Sequence, residues 1–154
     1  MEQFVYARNF RDLLVYKRAF IVSRRIFELS KGFPEEEKYA LTSQIRRASR
    51  SIGANITEAW AKRKYERHFV SKLSDADGEQ METQHWTRVA FSCRYLEEAT
   101  ARSLVADLEE IGRLLQGMMD KAESFRSVPR IAEDSPLVDN IDADDPLTPP
   151  IGDH

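Results

Sequence analysis

The sequence predicts an all-α fold, an antiparallel up-down-up-down four-helix bundle followed by a disordered, acidic, proline-rich C-terminal tail. Three observations carry that expectation. Apolar residues recur at helical spacing in four separate stretches, with no strand-like alternation. Five of the six prolines (Pro129, Pro136, Pro146, Pro149 and Pro150) lie beyond residue 128, while the sixth, Pro34, falls in a short connection. Residues 127–154 hold seven acids against one base, so the tail alone makes the chain acidic and residues 1–126 carry a net charge of +3. A bundle domain over residues 1–126 and a tail over 127–154 follow. A domain of that size buries roughly two-thirds of its unfolded surface and folds without covalent staples, whereas the tail has too few apolar residues to offset its ordering entropy.

The first helix is expected over residues 12–31. Val15, Tyr16, Ala19, Phe20, Val22, Ile26, Phe27 and Leu29 spread over an apolar arc of about 180°. One neighbouring helix covers less than that. The excess around Tyr16, Phe20 and Phe27 is therefore expected to face another subunit, which predicts a homo-oligomer. The run Lys31-Gly32-Phe33-Pro34 ends this helix, because glycine suits a C-terminal cap and Pro34 with Glu35, Glu36 and Glu37 suits the first turn of the next. The second helix, 35–62, places Leu41, Ile45, Ala48, Ile52, Ile56 and Ala59 on one stripe and Arg46, Arg47 and Arg50 opposite it. The third, 65–97, carries Phe69, Leu73, Ala76, Ala90 and Phe91 on a stripe whose middle is polar: Gln80, Thr83, Gln84 and Thr87. The fourth, 101–124, is capped by Thr100 and presents Leu104, Leu108, Ile111, Leu115, Met118, Met119 and Ala122. Short connections make sequential helices antiparallel neighbours.

Cys93 is the only cysteine, and a lone thiol cannot form an intrachain disulfide, so a reducing compartment is expected. Charges at Arg8, Arg11, Asp12, Lys17 and Arg18 interrupt the N-terminal segment before it can serve as a signal peptide or membrane span. The expected location is cytoplasmic, with no membrane partner.

The second helix carries a longer pattern. Gln44-Ile45-Arg46-Arg47-Ala48-Ser49-Arg50-Ser51-Ile52-Gly53-Ala54-Asn55-Ile56-Thr57-Glu58-Ala59 resembles the signature Q-x-R-R-A-x-x-S-I-x-x-N-I-A-E-G of the 23S ribosomal RNA intervening-sequence proteins, also called the four helix bundle protein family. Asp12-Leu13-Leu14-Val15-Tyr16-Lys17, Phe33-Pro34 with Glu37, Tyr39 and Leu41, and Ala76, Gly78 and Glu82-Thr83-Gln84 are similar to its other segments. The likeness spans roughly residues 10 to 125, with Thr57, Ala59 and Glu79 departing from the usual Ala, Gly and Ser. It implies a bundle that assembles into a ring, typically a pentamer, and an association with nucleic acid. The genes of such proteins lie within inserts in bacterial ribosomal RNA genes, and accessory proteins of diversity-generating retroelements share the architecture. A protein partner such as a reverse transcriptase is therefore the alternative implied.

Several side chains admit either a chemical role or plain packing. Arg46, Arg47 and Arg50, continued by Lys62, Arg63, Lys64 and Arg67, form a basic face suited to phosphate, because guanidinium groups stay charged and pair bidentately with its oxygens. The bland alternative is a solvated face whose arginines pair with acids. No aromatic residue interrupts those bases, which favours backbone contact over base stacking. Gly53 and Asn55 are unfavourable inside a helix, so a neighbouring helix packing closely on Gly53 and an Asn55 amide bonded across that interface are expected. Glu82 and His85 share a helix face as metal ligands can, yet no second such pair and no additional carboxylate pair accompany them, so neither metal nor cofactor is expected. Cys93 has no paired base, which leaves no catalytic centre. Trp60 and Trp86 read as packing anchors.

Overall fold

The computed structural model describes residues 7–126. The tail expected over 127–154 lies outside the described residues. Among those described, every regular element is helical: α1 (Leu14–Ser30), α2 (Ser43–Ala61), α3 (Glu66–Ser92), α4 (Glu98–Asp120) and the short α5 (Ala122–Arg126). Helix α2 packs against α1 and α3, α3 against α4, and α4 closes on α1, so the chain makes a four-helix bundle with sequential helices adjacent. No described helix is long and apolar enough to cross a membrane.

Each helix buries the stripe its period dictates. Val15, Ala19, Val22 and Ile26 of α1 meet Ile45, Ile52, Ile56 and Ala59 of α2, and Leu104, Leu108, Ile111 and Leu115 complete the core from α4. A 3₁₀ turn at Phe10–Asp12 precedes α1, capped by Asn9, whose Oδ1 accepts from Arg11 N at 2.8 Å while Asp12 Oδ2 accepts from Asn9 N at 3.2 Å. The second predicted helix begins less regularly than its periodicity suggests. Glu35–Glu37 form a 3₁₀ turn after Pro34, and Lys38–Thr42 form one turn of π-helix before α2 proper. Leu41 stays buried through that wide turn, while Tyr39 points outward.

Helix α3 differs most from expectation. Its buried residues are Phe69, Leu73, Ala76, Gln80, Thr83, Thr87 and Ala90, alternating four and three apart as in a coiled-coil seam. The polar middle is therefore truly interior. Thr83 and Thr87 each donate to the carbonyl one turn back, at 2.8 Å, Gln80 Nε2 donates to Asp77 at 2.9 Å, and Gln84 Nε2 donates to Gln80 Oε1 at 2.7 Å. Burial without loss of hydrogen bonds explains why these side chains are tolerated. Phe91, expected on the stripe, falls one position past the seam and is exposed. Opposite Gln80 sits Gly112 of α4, where a β-carbon would lie 2.9 Å from Gln80 Nε2.

The third and fourth predicted helices also have different ends. Helix α3 stops at Ser92 instead of continuing to residue 97, and α4 starts at Glu98, with Thr100 inside its first turn rather than capping it. The stop is a Schellman motif: Tyr95 N donates to Ala90 O and Arg94 N to Phe91 O, both at 2.9 Å, with Arg94 left-handed at φ 65°. Glycine ordinarily marks such a position, and here an arginine takes it. Tyr95 then packs its ring on Phe33, 5.7 Å between centroids, which anchors the turn to the α1–α2 connection. Because a left-handed conformation costs a non-glycine residue about 1 kcal/mol, Arg94→Gly should stabilise the fold by roughly 0.5–1 kcal/mol in urea unfolding. A loss of stability would show that the Arg94 side chain contributes more than its backbone costs. The predicted helix 101–124 is also broken at Lys121, and α5 turns Phe125 onto Phe69, 5.2 Å between rings.

Candidate nucleic-acid interface

Helix α2 projects three guanidinium groups from adjacent turns, Arg46 and Arg50 on the side of α1 and Arg47 on the side of α3. Arg46 and Arg50 both lie over the Phe27 ring, at 4.8 and 5.4 Å from its centroid, and Lys31 Nζ approaches the same ring at 4.8 Å. Phe27 thus acts as a pedestal. Its π face attracts the cations and holds two of them side by side against their mutual repulsion. Arg46 is fixed further by its Nε, which donates to Ser30 Oγ at 2.7 Å. Ser30 is itself buried, its hydroxyl donating to Phe27 O at 2.9 Å, so Arg46 is tied to the last turn of α1. The arginine lies nearer α1 than a position opposite the core stripe would put it.

Arg47 is exposed on the other side, toward α3. There Glu79 has its carboxyl pushed above the ordinary range by burial, with Glu82 adding to the rise and Arg47 pulling the opposite way. Even so, Arg46, Arg47 and Arg50 form no salt bridge with any described carboxylate. That observation separates them from Lys72, which binds Glu58 at 2.9 Å across the α2–α3 interface and is raised in pKa first by that hydrogen bond. The three arginines line one shallow groove along α2, about 600 Å³ in volume, with Lys38 and Tyr39 at its N-terminal end.

Comparison with known proteins places the chain in a family. Residues 11–117 match the 23S rRNA-intervening sequence protein family. The chain belongs to that family. A solved structure similar to it is that of a protein of unknown function from the S23 ribosomal protein family of Bacteroides thetaiotaomicron VPI-5482, 30% identical, with a TM-score of 0.63 over 70% of this chain and 96% of that one. No curated protein matches the chain.

In this member of the 23S rRNA-intervening sequence protein family the basic residues do not form one continuous face. Lys62 and Lys64 are exposed at the far end of α2, and Arg67 at the start of α3. From Arg50 to Lys62 is twelve residues, roughly 18 Å along a helix axis, so they make a second patch. Arg63, expected among the phosphate contacts, belongs to neither. It is 4% exposed, its guanidinium stacks on Trp60 at 4.3 Å, and its Nη1 donates to Trp60 O at 2.9 Å. Arg63 plugs the turn between α2 and α3.

The packing residues are also redistributed. Tyr16 lies over Gly53, 3.8 Å from where a β-carbon would stand, and stacks edge-on against Phe10 at 5.0 Å and near Phe20 at 6.0 Å. Much of the excess apolar arc expected at Tyr16, Phe20 and Phe27 is thereby taken up within the chain. The Asn55 amide does not bond across an interface but donates to Ser51 O, one turn back on its own helix, at 2.9 Å. Leu14 and Ile21, two turns apart on α1, are instead more than half exposed. Glu82 accepts a hydrogen bond from Trp86 Nε1 at 3.2 Å, and the His85 ring packs on Trp86 at 4.8 Å, so both side chains are engaged by a tryptophan. No group of three potential metal ligands gathers among the described residues.

Proposed function

We propose that the protein is a non-catalytic, cytoplasmic homo-oligomer that binds the phosphate backbone of structured RNA through Arg46, Arg47 and Arg50. The observation that carries this reading is the cluster itself: three permanently charged groups on one groove, two of them pre-positioned over Phe27, none salt-bridged to a described carboxylate. Ordering the guanidinium groups beforehand reduces the entropy lost on binding. Membership of a family named for its place in ribosomal RNA supports RNA as the polyanion. Assembly belongs to the same proposal, with Leu14 and Ile21 as the apolar contacts and five subunits as the arrangement the family suggests. A ring repeats the groove in every subunit and converts weak contacts into useful affinity.

The test is a titration of the protein with a fluorescent RNA hairpin at two salt concentrations. Binding tighter than about 10 μM at 50 mM salt is expected, with a log–log salt slope near −2 to −3 for three phosphate contacts per hairpin. Weaker binding, or binding indifferent to salt, would leave the alternative, a scaffold for a protein partner such as a reverse transcriptase.

A further inference from the structure

Tyr39 is the most exposed large hydrophobic side chain among those described, at 79%, and it stands at the end of the arginine groove. Helical spacing alone hides this, because Tyr39 lies within the π-turn at Lys38–Thr42 that precedes the arginines' regular helix. The ring has Lys38 Nζ on one side, 5.6 Å from its centroid. Glu35, Glu36 and Glu37 precede it, and their carboxylates repel phosphate from that end. The groove is therefore polarised, with an aromatic platform beside acids at one end and a guanidinium cluster at the other. Seven residues separate Tyr39 from Arg46, roughly 10 Å of helix axis. The groove is shallow and open, so it suits a chain laid along it rather than an enclosed small ligand.

We infer that this groove accepts an unpaired nucleotide of an RNA chain, its base stacked on Tyr39 and its neighbouring phosphates held by Arg46, Arg47 and Arg50. The inference rests on the RNA reading above and narrows it to RNA with a bulged or looped-out base. Stacking on a tyrosine tolerates any base, because every base has a π face, so the preference is for unpaired structure and not for sequence. A fully paired helix would engage only the arginines.

Two RNA hairpins of equal length, one fully paired and one with a single bulged adenosine, test this by fluorescence anisotropy. The bulged hairpin is expected to bind about tenfold tighter. Tyr39→Ala should abolish that preference while leaving affinity for the paired hairpin and its salt slope unchanged, and Tyr39→Trp should keep it. Free adenosine monophosphate should fail to compete at about 1 mM, since one stacked base and one phosphate give little affinity without the chain. Equal binding of the two hairpins by the unaltered protein overturns the inference, as does an equal loss on both in Tyr39→Ala. Competition by the free nucleotide at micromolar concentration would make the groove a mononucleotide pocket and also overturns it. A change in assembled mass in Tyr39→Ala would make Tyr39 a subunit contact, with the same consequence. If the paired hairpin binds with the expected salt slope and the bulge adds nothing, only this inference fails; if neither hairpin binds, the RNA reading fails with it.

Discussion

A protein carrying Arg46→Gln, Arg47→Gln and Arg50→Gln together will lose roughly a hundredfold in affinity for structured RNA at 50 mM salt, and its salt slope will fall by about two to three, nearly to zero. The loss is large because all three charges face one groove, so no single remaining group replaces them. The substitutions also remove the hydrogen bond from Arg46 Nε to Ser30 and two cations from the Phe27 ring. At partly exposed sites these contribute about 1–2 kcal/mol together, too little to unfold a bundle whose core they do not touch. Circular dichroism and light scattering should therefore show an unchanged helical assembly. Arg47 makes the cleanest single test, because it is exposed and makes neither the contact with Ser30 nor that with Phe27. A triple variant that keeps its affinity would move the interface to the Lys62, Lys64 and Arg67 patch. A triple variant that falls apart into monomers would show the arginines to be ion-pair partners between subunits.

The largest effect on stability is expected at Phe69. Its side chain is fully buried in the first turn of α3, and its ring stacks on Phe125, the residue that holds α5 to the bundle. Phe69→Ala removes the transfer free energy of the ring, leaves a cavity, and frees α5 from its anchor, for a total of about 3–5 kcal/mol. In a domain of this size that is a fall in melting temperature on the order of 10–20 °C. The comparison requires equal protein concentration, since the proposed assembly would contribute to apparent stability. A loss under about 2 kcal/mol would mean that this end of the bundle collapses into the space vacated.

Periodicity made most of the fold legible and left its joints obscure. Helices α1, α2 and α4 segregate apolar from polar side chains strongly, so their buried stripes could be read from the sequence. Helix α3 could not be read as fully, because Gln80, Thr83 and Thr87 occupy its seam and weaken the pattern that identifies it. Its end was hidden for a different reason. Arg94 adopts the left-handed conformation that glycine usually advertises, so the turn between α3 and α4 leaves no compositional mark. The arginine triplet was legible as a surface cluster, whereas its attachment to Phe27 and Ser30 depends on how α1 lies against α2. Arg63 looked like one more exposed base, and only the proximity of Trp60 shows it to be interior. The place of Tyr39 beside the arginines was not legible, because it follows a run of acids and lies within a π-turn, outside the regular helical period.

The close approach of Gly112 to Gln80 has a consequence for alignment. Leucines and isoleucines along a bundle are nearly interchangeable, and two helices joined only by such residues can slide past one another by a turn at little cost. A glutamine bulging from one helix opposite a position without a side chain on the other acts as a tooth in a notch. Shifting α4 by one turn would bring Leu108 or Gln116 against Gln80, force a larger group into that space, and strand the hydrogen bonds that Gln80 makes with Asp77 and Gln84. The buried polar column thus works as an indexing mark that fixes how far α4 is drawn along α3, and with it the heights at which the rest of the core must meet.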